Sequence, residues 1–294
     1  MIICRNPYRP KDDPSAAYPC GRCLACRYKM VSDWTIRMTH ERETRGSAHF
    51  LTLTYDNKHI NPHYSLRKRD IQLFFKRLRK KIDYKFTYYV CGEYGPRTHR
   101  PHYHMILFGI RPDDLHHIYS SWTLCDPING IHLEEANTRK ACAYVAGYVN
   151  KKLGKRYSNL FKKQYPNKEP EFSLCSQGLG YDWCFKHSEL YKTQKVMYEN
   201  GHRRMLPRYY RKKLGIELDD LSDLMIDTVK STVDAIIERT QCEMVRPYEM
   251  HDLDDYLWMQ NITLFNEYQA IREICNEKLE RKLKDTRTFE GESE

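Results

Sequence analysis

No run of about 18 consecutive apolar residues occurs in the chain, which excludes a helix able to span a bilayer. The opening residues, Met1 to Pro7, lack the charged-then-apolar pattern of an export leader. The protein is therefore expected to stay where it is made and to have no membrane partner. No Gly-x-x-x-x-Gly-Lys-Ser/Thr segment is present, which excludes a P-loop motor. Repeats of fixed period and long low-complexity tracts are also missing. The cysteines number 11, an odd count, and without a leader they do not read as a disulfide framework. Most of them, such as Cys91, Cys142 and Cys275, stand singly inside apolar stretches and read as reduced core residues.

What is present is length, charge and tyrosine. The 294 residues suffice for one large domain or two modest ones. The formal net charge of +10 is unevenly spread. Residues 214–294 hold 9 Lys and Arg against 20 Asp and Glu, a net of −11, so residues 1–213 hold 40 against 19, a net of +21. A basic excess of that size favours a polyanionic partner, and nucleic acid suits it better than an unpartnered soluble surface.

Along the chain, residues 1–45 form a Cys-rich segment followed by a helix at 28–45. A strand pattern at Phe50–Tyr55 puts Leu51, Leu53 and Tyr55 on one face and Thr52 and Thr54 on the other. Residues 66–82 predict a basic amphipathic helix with an apolar stripe of Ile71, Phe74, Leu78 and Ile82. Strands are predicted at Thr87–Glu93 and His102–Phe108, a helix near 112–122, a short strand near 130–135 and a helix over 138–153. That order predicts an α+β layer fold, an antiparallel sheet with helices packed on it. The core spans 46–155. Residues 156–213 form a basic extension without clear element assignment, and 214–294 form an acidic, mostly helical region.

Two segments carry chemistry. Side chains alternate faces along a strand, so His102 and His104 point the same way. Glu93 ends the preceding strand and approaches them if the two strands pair antiparallel. Two imidazoles and a carboxylate with open positions suit Mg²⁺ or Mn²⁺ acting on phosphate. An isolated His-x-His also fits surface histidines or a jelly-roll oxygenase. Here Ile106 and Phe108 share the histidines' face, which argues against simple surface decoration. On the predicted helix, Tyr144, Tyr148 and Lys151 fall within an arc of about 60°. The plain alternative is two half-buried aromatics one turn apart; the metal motif upstream favours two phenols and an ammonium acting together. Arg97, Arg100 and Lys152 are candidate DNA contacts.

Cys20, Cys23 and Cys26 have metal-ligand spacing but supply only three thiols, with Cys4 or a histidine available as a fourth structural Zn²⁺ ligand. The alternative is three reduced cysteines around a turn.

These motifs together resemble the HUH endonucleases, specifically rolling-circle replication initiators of the Microviridae, single-stranded DNA phages, of the gokushovirus type. Phe50–Tyr55 resembles the first motif. Gly92-Glu93-Tyr94-Gly95 is similar to the segment carrying the third ligand. Arg100 to Gly109 resembles the His-hydrophobic-His motif, with Tyr103 in the middle. Tyr144 to Lys152 resembles the third motif of the two-tyrosine branch. The resemblance covers about residues 46–155. It implies a five-stranded antiparallel sheet, RRM-like in topology and flanked by helices. It implies a divalent metal held by His102, His104 and Glu93, and tyrosine attack on single-stranded DNA at a replication origin. It further implies a covalent 5′-phosphotyrosine, strand rejoining, and host replication proteins including a helicase, in the cytoplasm of a bacterial host. Tyr148 matches the position that single-tyrosine relatives keep, and ranks first as nucleophile. Two rival readings are a non-catalytic single-strand-binding module, which accounts for the charge and the 23 tyrosines, and a transposase or relaxase of the same chemistry.

Overall fold

The computed structural model describes residues 7–216 apart from 13–17, 22, 96, 127–128, 137, 152–154 and 200. The acidic region expected to be mostly helical lies almost wholly outside the described residues, as do Cys4, Lys152 and Cys275. The chain divides into two compact units, residues 31–188, and residues 1–30 with 189–294.

In the first unit, an antiparallel sheet has the strand order β4-β1-β3-β2-β5. Its strands are β1 (Ala48–Thr54), β2 (Thr87–Tyr94), β3 (Pro101–Phe108), β4 (Ile131–Glu135) and β5 (Phe172–Cys175). The fifth strand comes from the basic stretch that had no element assignment in the sequence. Its four residues are too few for a visible period of two, and pairing with β2 through Gly92↔Phe172 and Tyr89↔Cys175 defines it. The helix expected near 112–122 is instead a 3₁₀ turn, Pro112–Asp114, and a single α turn, α3 (His116–Tyr119).

Each face of the sheet has its own helical cover. On one face Leu51, Leu53, Tyr103, Met105 and Leu107 bury against α2 (Lys68–Lys81) through Ile71, Phe74, Phe75 and Leu78. The basic side of α2 therefore backs away from the opposite face of the sheet. There Ala48, Tyr89, Cys91, Ile106 and Phe108 pack with Met38 of α1 (Leu24–Arg45) and Cys142, Val145 and Ala146 of α4 (Arg139–Lys151). Alternation along β3 thus splits Tyr103 from its histidine neighbours. The Tyr103 hydroxyl lies 2.7 Å from that of Tyr55, accepts from the Arg67 amide and donates to the Arg67 carbonyl, holding the start of α2. Gly92 is required for the close approach beneath β2, since a Cβ there would lie 3.0 Å from Leu66 Cδ2 and 3.1 Å from the Phe172 ring.

Polar groups under α1 fix its position. The Glu41 carboxylate accepts from the Thr87 hydroxyl, the Gly180 amide and Arg45 Nε. His40 is buried and stacks on Trp183 at 4.6 Å. Burial first, and the charge of His187 second, bring its pKa down to about 3. The unfolded chain takes up this proton near its ordinary value of 6.5, whereas the fold resists it until about 3. Stability is therefore fully present above 6.5 and falls as pH drops through that window, by at most about 1.4 kcal/mol per pH unit for this one proton. His40→Phe keeps a ring in place and removes the titration, so its urea-unfolding free energy should depend less steeply on pH between about 6 and 4 than the wild type's, by up to about that slope. Identical slopes would assign the acid sensitivity elsewhere.

In the second unit, β6 (Val196–Glu199) and β7 (His202–Met205) form a two-stranded hairpin, followed by α8 (Arg208–Leu214), which ends on Gly215 in the left-handed region. No described helix is long and apolar enough to cross a membrane.

Candidate functional site

Register decides what the strands bring together. Glu93 pairs with His102, Cys91 with His104, Thr52 with His104 and Thr54 with His102. All lie on the face covered by α1 and α4. The two histidines sit at the open end of β3, where the buried stripe of Ile106 and Phe108 gives way to half-exposed positions.

The donor atoms of Glu93, His102 and His104 lie within 4.8 Å of one another. Glu93 Oε1 is 2.9 Å from His102 Nε2 and 3.4 Å from His104 Nε2. The two imidazole rings stand nearly perpendicular, 4.8 Å between centroids. Two ligands at right angles on an ion with bonds of about 2.0–2.1 Å lie about 3 Å apart, so these separations fit one small divalent ion.

The proton bookkeeping supports the same fit. His102 Nδ1 is 3.2 Å from the Arg100 carbonyl oxygen, which can only accept, so this nitrogen carries the hydrogen. The lone pair on Nε2 then faces a carboxylate oxygen at 2.9 Å. Two acceptors so close require a cation, a proton or a metal ion. Burial alone would raise the Glu93 carboxyl, but the hydrogen bonds and charge of the two histidines outweigh it and bring it down to about 2. Glu93 is thus an anion at neutral pH, as a ligand for a hard cation must be. Two nitrogens and one oxygen suit Mn²⁺ by affinity and also admit Mg²⁺.

His104 is held from behind. Its Nδ1 lies 2.9 Å from the Thr52 hydroxyl, which turns Nε2 toward Glu93. Phe50, two residues earlier on β1, stacks on the His104 ring at 5.7 Å. The buried Cys91 thiol donates to the His104 carbonyl at 3.4 Å, and burial pushes its pKa well up, as expected for an inert core cysteine. None of these three carried a site signal in the sequence, because their part depends on cross-strand register. Thr52→Val retains shape and β-branching but removes the hydroxyl. It is expected to weaken Mn²⁺ activation of DNA cleavage by about 10–100-fold, read as a shift in the Mn²⁺ concentration giving half-maximal rate. An unchanged midpoint would make Thr52 a packing residue only.

The α4 helix approaches from across this face. The Tyr144 ring makes edge contacts with Phe50 at 5.9 Å and with His104 at 6.3 Å, and the residue is 37% exposed. A phenol therefore stands beside the triad and reaches solvent. Tyr148 and Lys151 lie further along the same helix, one and about two turns on, with side chains outside the described residues. Arg97 is exposed in the β2–β3 turn. Arg100 donates to the Tyr55 carbonyl at 2.9 Å and to Asn57 at 2.8 Å, so its guanidinium ties this turn to the end of β1. Cys20, Cys23 and Cys26 converge, and none is in a disulfide.

Residues 48–153, the span from β1 to just beyond α4, match the family model of the Replication-associated protein ORF2 type. The Replication-associated protein VP4 of Bdellovibrio phage phiMH2K is 32% identical over 221 residues, covering 68% of this chain and 68% of that protein. The Replication-associated protein ORF4 of Chlamydia phage 1 is 31% identical over 212 residues, 66% of this chain but only 52% of that protein. The Replication-associated protein ORF2 of Spiroplasma virus 4 is 28% identical over 248 residues, 76% and 74% of the two chains. No solved structure matches the chain. The likeness that the motifs suggested therefore holds over a span much wider than the motifs themselves, and the chain belongs to the family of phage replication-associated proteins.

Proposed function

We propose that the protein initiates rolling-circle replication by nicking single-stranded DNA at the origin, through tyrosine attack beside a divalent metal site. One observation carries the reading: an acceptor-rich triad of Glu93, His102 and His104 with a solvent-reaching phenol, Tyr144, against its edge. Family membership supplies the setting of phage DNA replication.

The chemistry follows from what a phosphodiester resists. Its oxygens repel an anionic nucleophile. A divalent ion held by the triad would withdraw that charge and orient the phosphate. Tyr144 or Tyr148 then attacks phosphorus through its phenolic oxygen. The Tyr–O–P bond forms as the P–O3′ bond breaks, the phenol proton passes to solvent, and the departing 3′ oxygen takes one up. The product is a 5′-phosphotyrosine and a free 3′-hydroxyl, so the bond energy is kept for rejoining. Lys151, one turn past Tyr148, would stabilise the phenolate as it emerges from a group with a free pKa near 10. With two tyrosines in one helix, one holds the first end while the other cuts the next. Arg97, Arg100 and Lys152 would add phosphate contacts, Arg100 chiefly by fixing the turn beside His102. Strand separation is left to a host helicase in the cytoplasm of the bacterial cell.

The test is a denaturing gel of origin-bearing single-stranded DNA incubated with the protein and Mn²⁺. The reading predicts a shortened strand and a protein-linked fragment, both abolished by chelator. Intact DNA bound to protein would instead make the chain a single-strand-binding module.

A further inference from the structure

We infer that Cys20, Cys23 and Cys26 hold a structural Zn²⁺ ion as three thiolates, with a fourth donor completing the tetrahedron. This site stands apart from the nuclease reading and does not depend on it.

Three facts converge. The three sulfurs lie within 4.8 Å of one another, although Cys-x-x-Cys-x-x-Cys spacing on a continuous helix would spread them over successive turns. They meet because only Cys26 is inside α1: Gly21, at a φ of +69°, turns the chain between Cys20 and the helix start at Leu24. Next, Cys20 Sγ and Cys26 Sγ are 3.9 Å apart. That is far too long for a disulfide, whose sulfurs lie about 2.05 Å apart. It matches the separation of about 3.8 Å that two bonds of about 2.3 Å make at a tetrahedral ion. Last, the Cys23 amide donates to Cys20 Sγ at 3.3 Å. An N–H aimed at sulfur stabilises a thiolate and is the kind of outer contact that tunes metal sites.

Charge agrees. Binding releases three protons, and three thiolates on Zn²⁺ leave one net negative charge. The sequence places Arg22, Arg27 and Lys29 within three residues of these sulfurs. Burial is also right for a structural site: Cys26 is buried and the other two half-buried. The segment has little else to hold it. An antiparallel bridge between Tyr8 and Tyr18 closes the chain just ahead of Cys20, and both tyrosines are largely exposed. A metal clamp between this loop and the first turns of α1 supplies the stability that so small an apolar contact area lacks.

The site is tested on the full-length protein purified without added metal. Elemental analysis should find about one zinc per chain, and Co²⁺ exchange should give thiolate-to-cobalt charge transfer with the intense visible bands of a tetrahedral ion. Cys23→Ser should lose that charge transfer and most of the zinc. His102→Ala should retain both, which separates this site from the triad on β3. Metal-free protein that takes up no Co²⁺, a brown protein carrying iron and acid-labile sulfide, or a charge-transfer band lost in His102→Ala would each overturn the assignment. Because the wild-type spectrum alone decides between these outcomes, misfolding of the serine variant would not rescue a failed proposal.

Discussion

His104→Ala is expected to lower the rate of DNA nicking by roughly 10³-fold, because losing a metal ligand forfeits several kcal/mol of charge stabilisation at the phosphate. Single-stranded DNA affinity should change by less than about tenfold, since phosphate contacts come from the basic surface and not from the triad. The separation of the two effects is the informative part. His104 Nε2 faces Glu93 while its ring packs between Phe50 and Tyr144, so alanine also removes a wall of the site. A companion variant, Glu93→Gln, keeps the shape and removes only the anion. It should cost a comparable factor in nicking and leave the thermal midpoint nearly unchanged or raised, because a half-buried carboxylate without its cation is a burden on the fold. Equal loss of binding and cleavage in both variants would show that the histidines and Glu93 serve the structure alone.

Tyr144→Phe combined with Tyr148→Phe should abolish the covalent protein–DNA adduct, with no residual product above an uncatalysed control. The substitution deletes one oxygen per ring. At Tyr144 the ring contacts with Phe50 and His104 survive it, so folding should be unaffected. The single variants then apportion the work. Two interchangeable nucleophiles predict that each single variant still nicks but that strand transfer, which needs a second attack while the first end is held, falls far more than nicking does. A double variant that still forms the adduct would assign the attack to another residue.

Much of this arrangement was legible because its signals are local. His102 and His104 share a face by the period of a strand, and Cys142, Val145 and Ala146 share one by the period of a helix. Both faces were found buried or clustered as those periods require. The contact between Glu93 and the histidines needed one further condition, antiparallel pairing of β2 with β3, and the turn-rich stretch between them supplied it. What the sequence hid depends on long-range pairing. β5 is too short to show a period and is made by β2. Thr52 read as the plain outer face of a strand, and only its place opposite His104 makes it a support for the ring. Arg100 read as a phosphate contact because arginine beside a turn is usually solvated, whereas two acceptors at the end of β1 capture its guanidinium. The helix expected near 112–122 shrank to single turns because its apolar residues, Ile118 and Trp122, are drawn under the sheet edge, where Trp122 Nε1 donates to the Thr54 carbonyl.

The most direct measurement is to trap the protein on origin-bearing single-stranded DNA with Mn²⁺, digest both, and locate the nucleotide by mass spectrometry. The account predicts a phosphate-linked nucleotide on the peptide containing Tyr144 and Tyr148, attached to one of those two oxygens and absent when Glu93 is replaced by Gln. A nucleotide linked to any other residue, or cleaved DNA with no linked peptide at all, would contradict it.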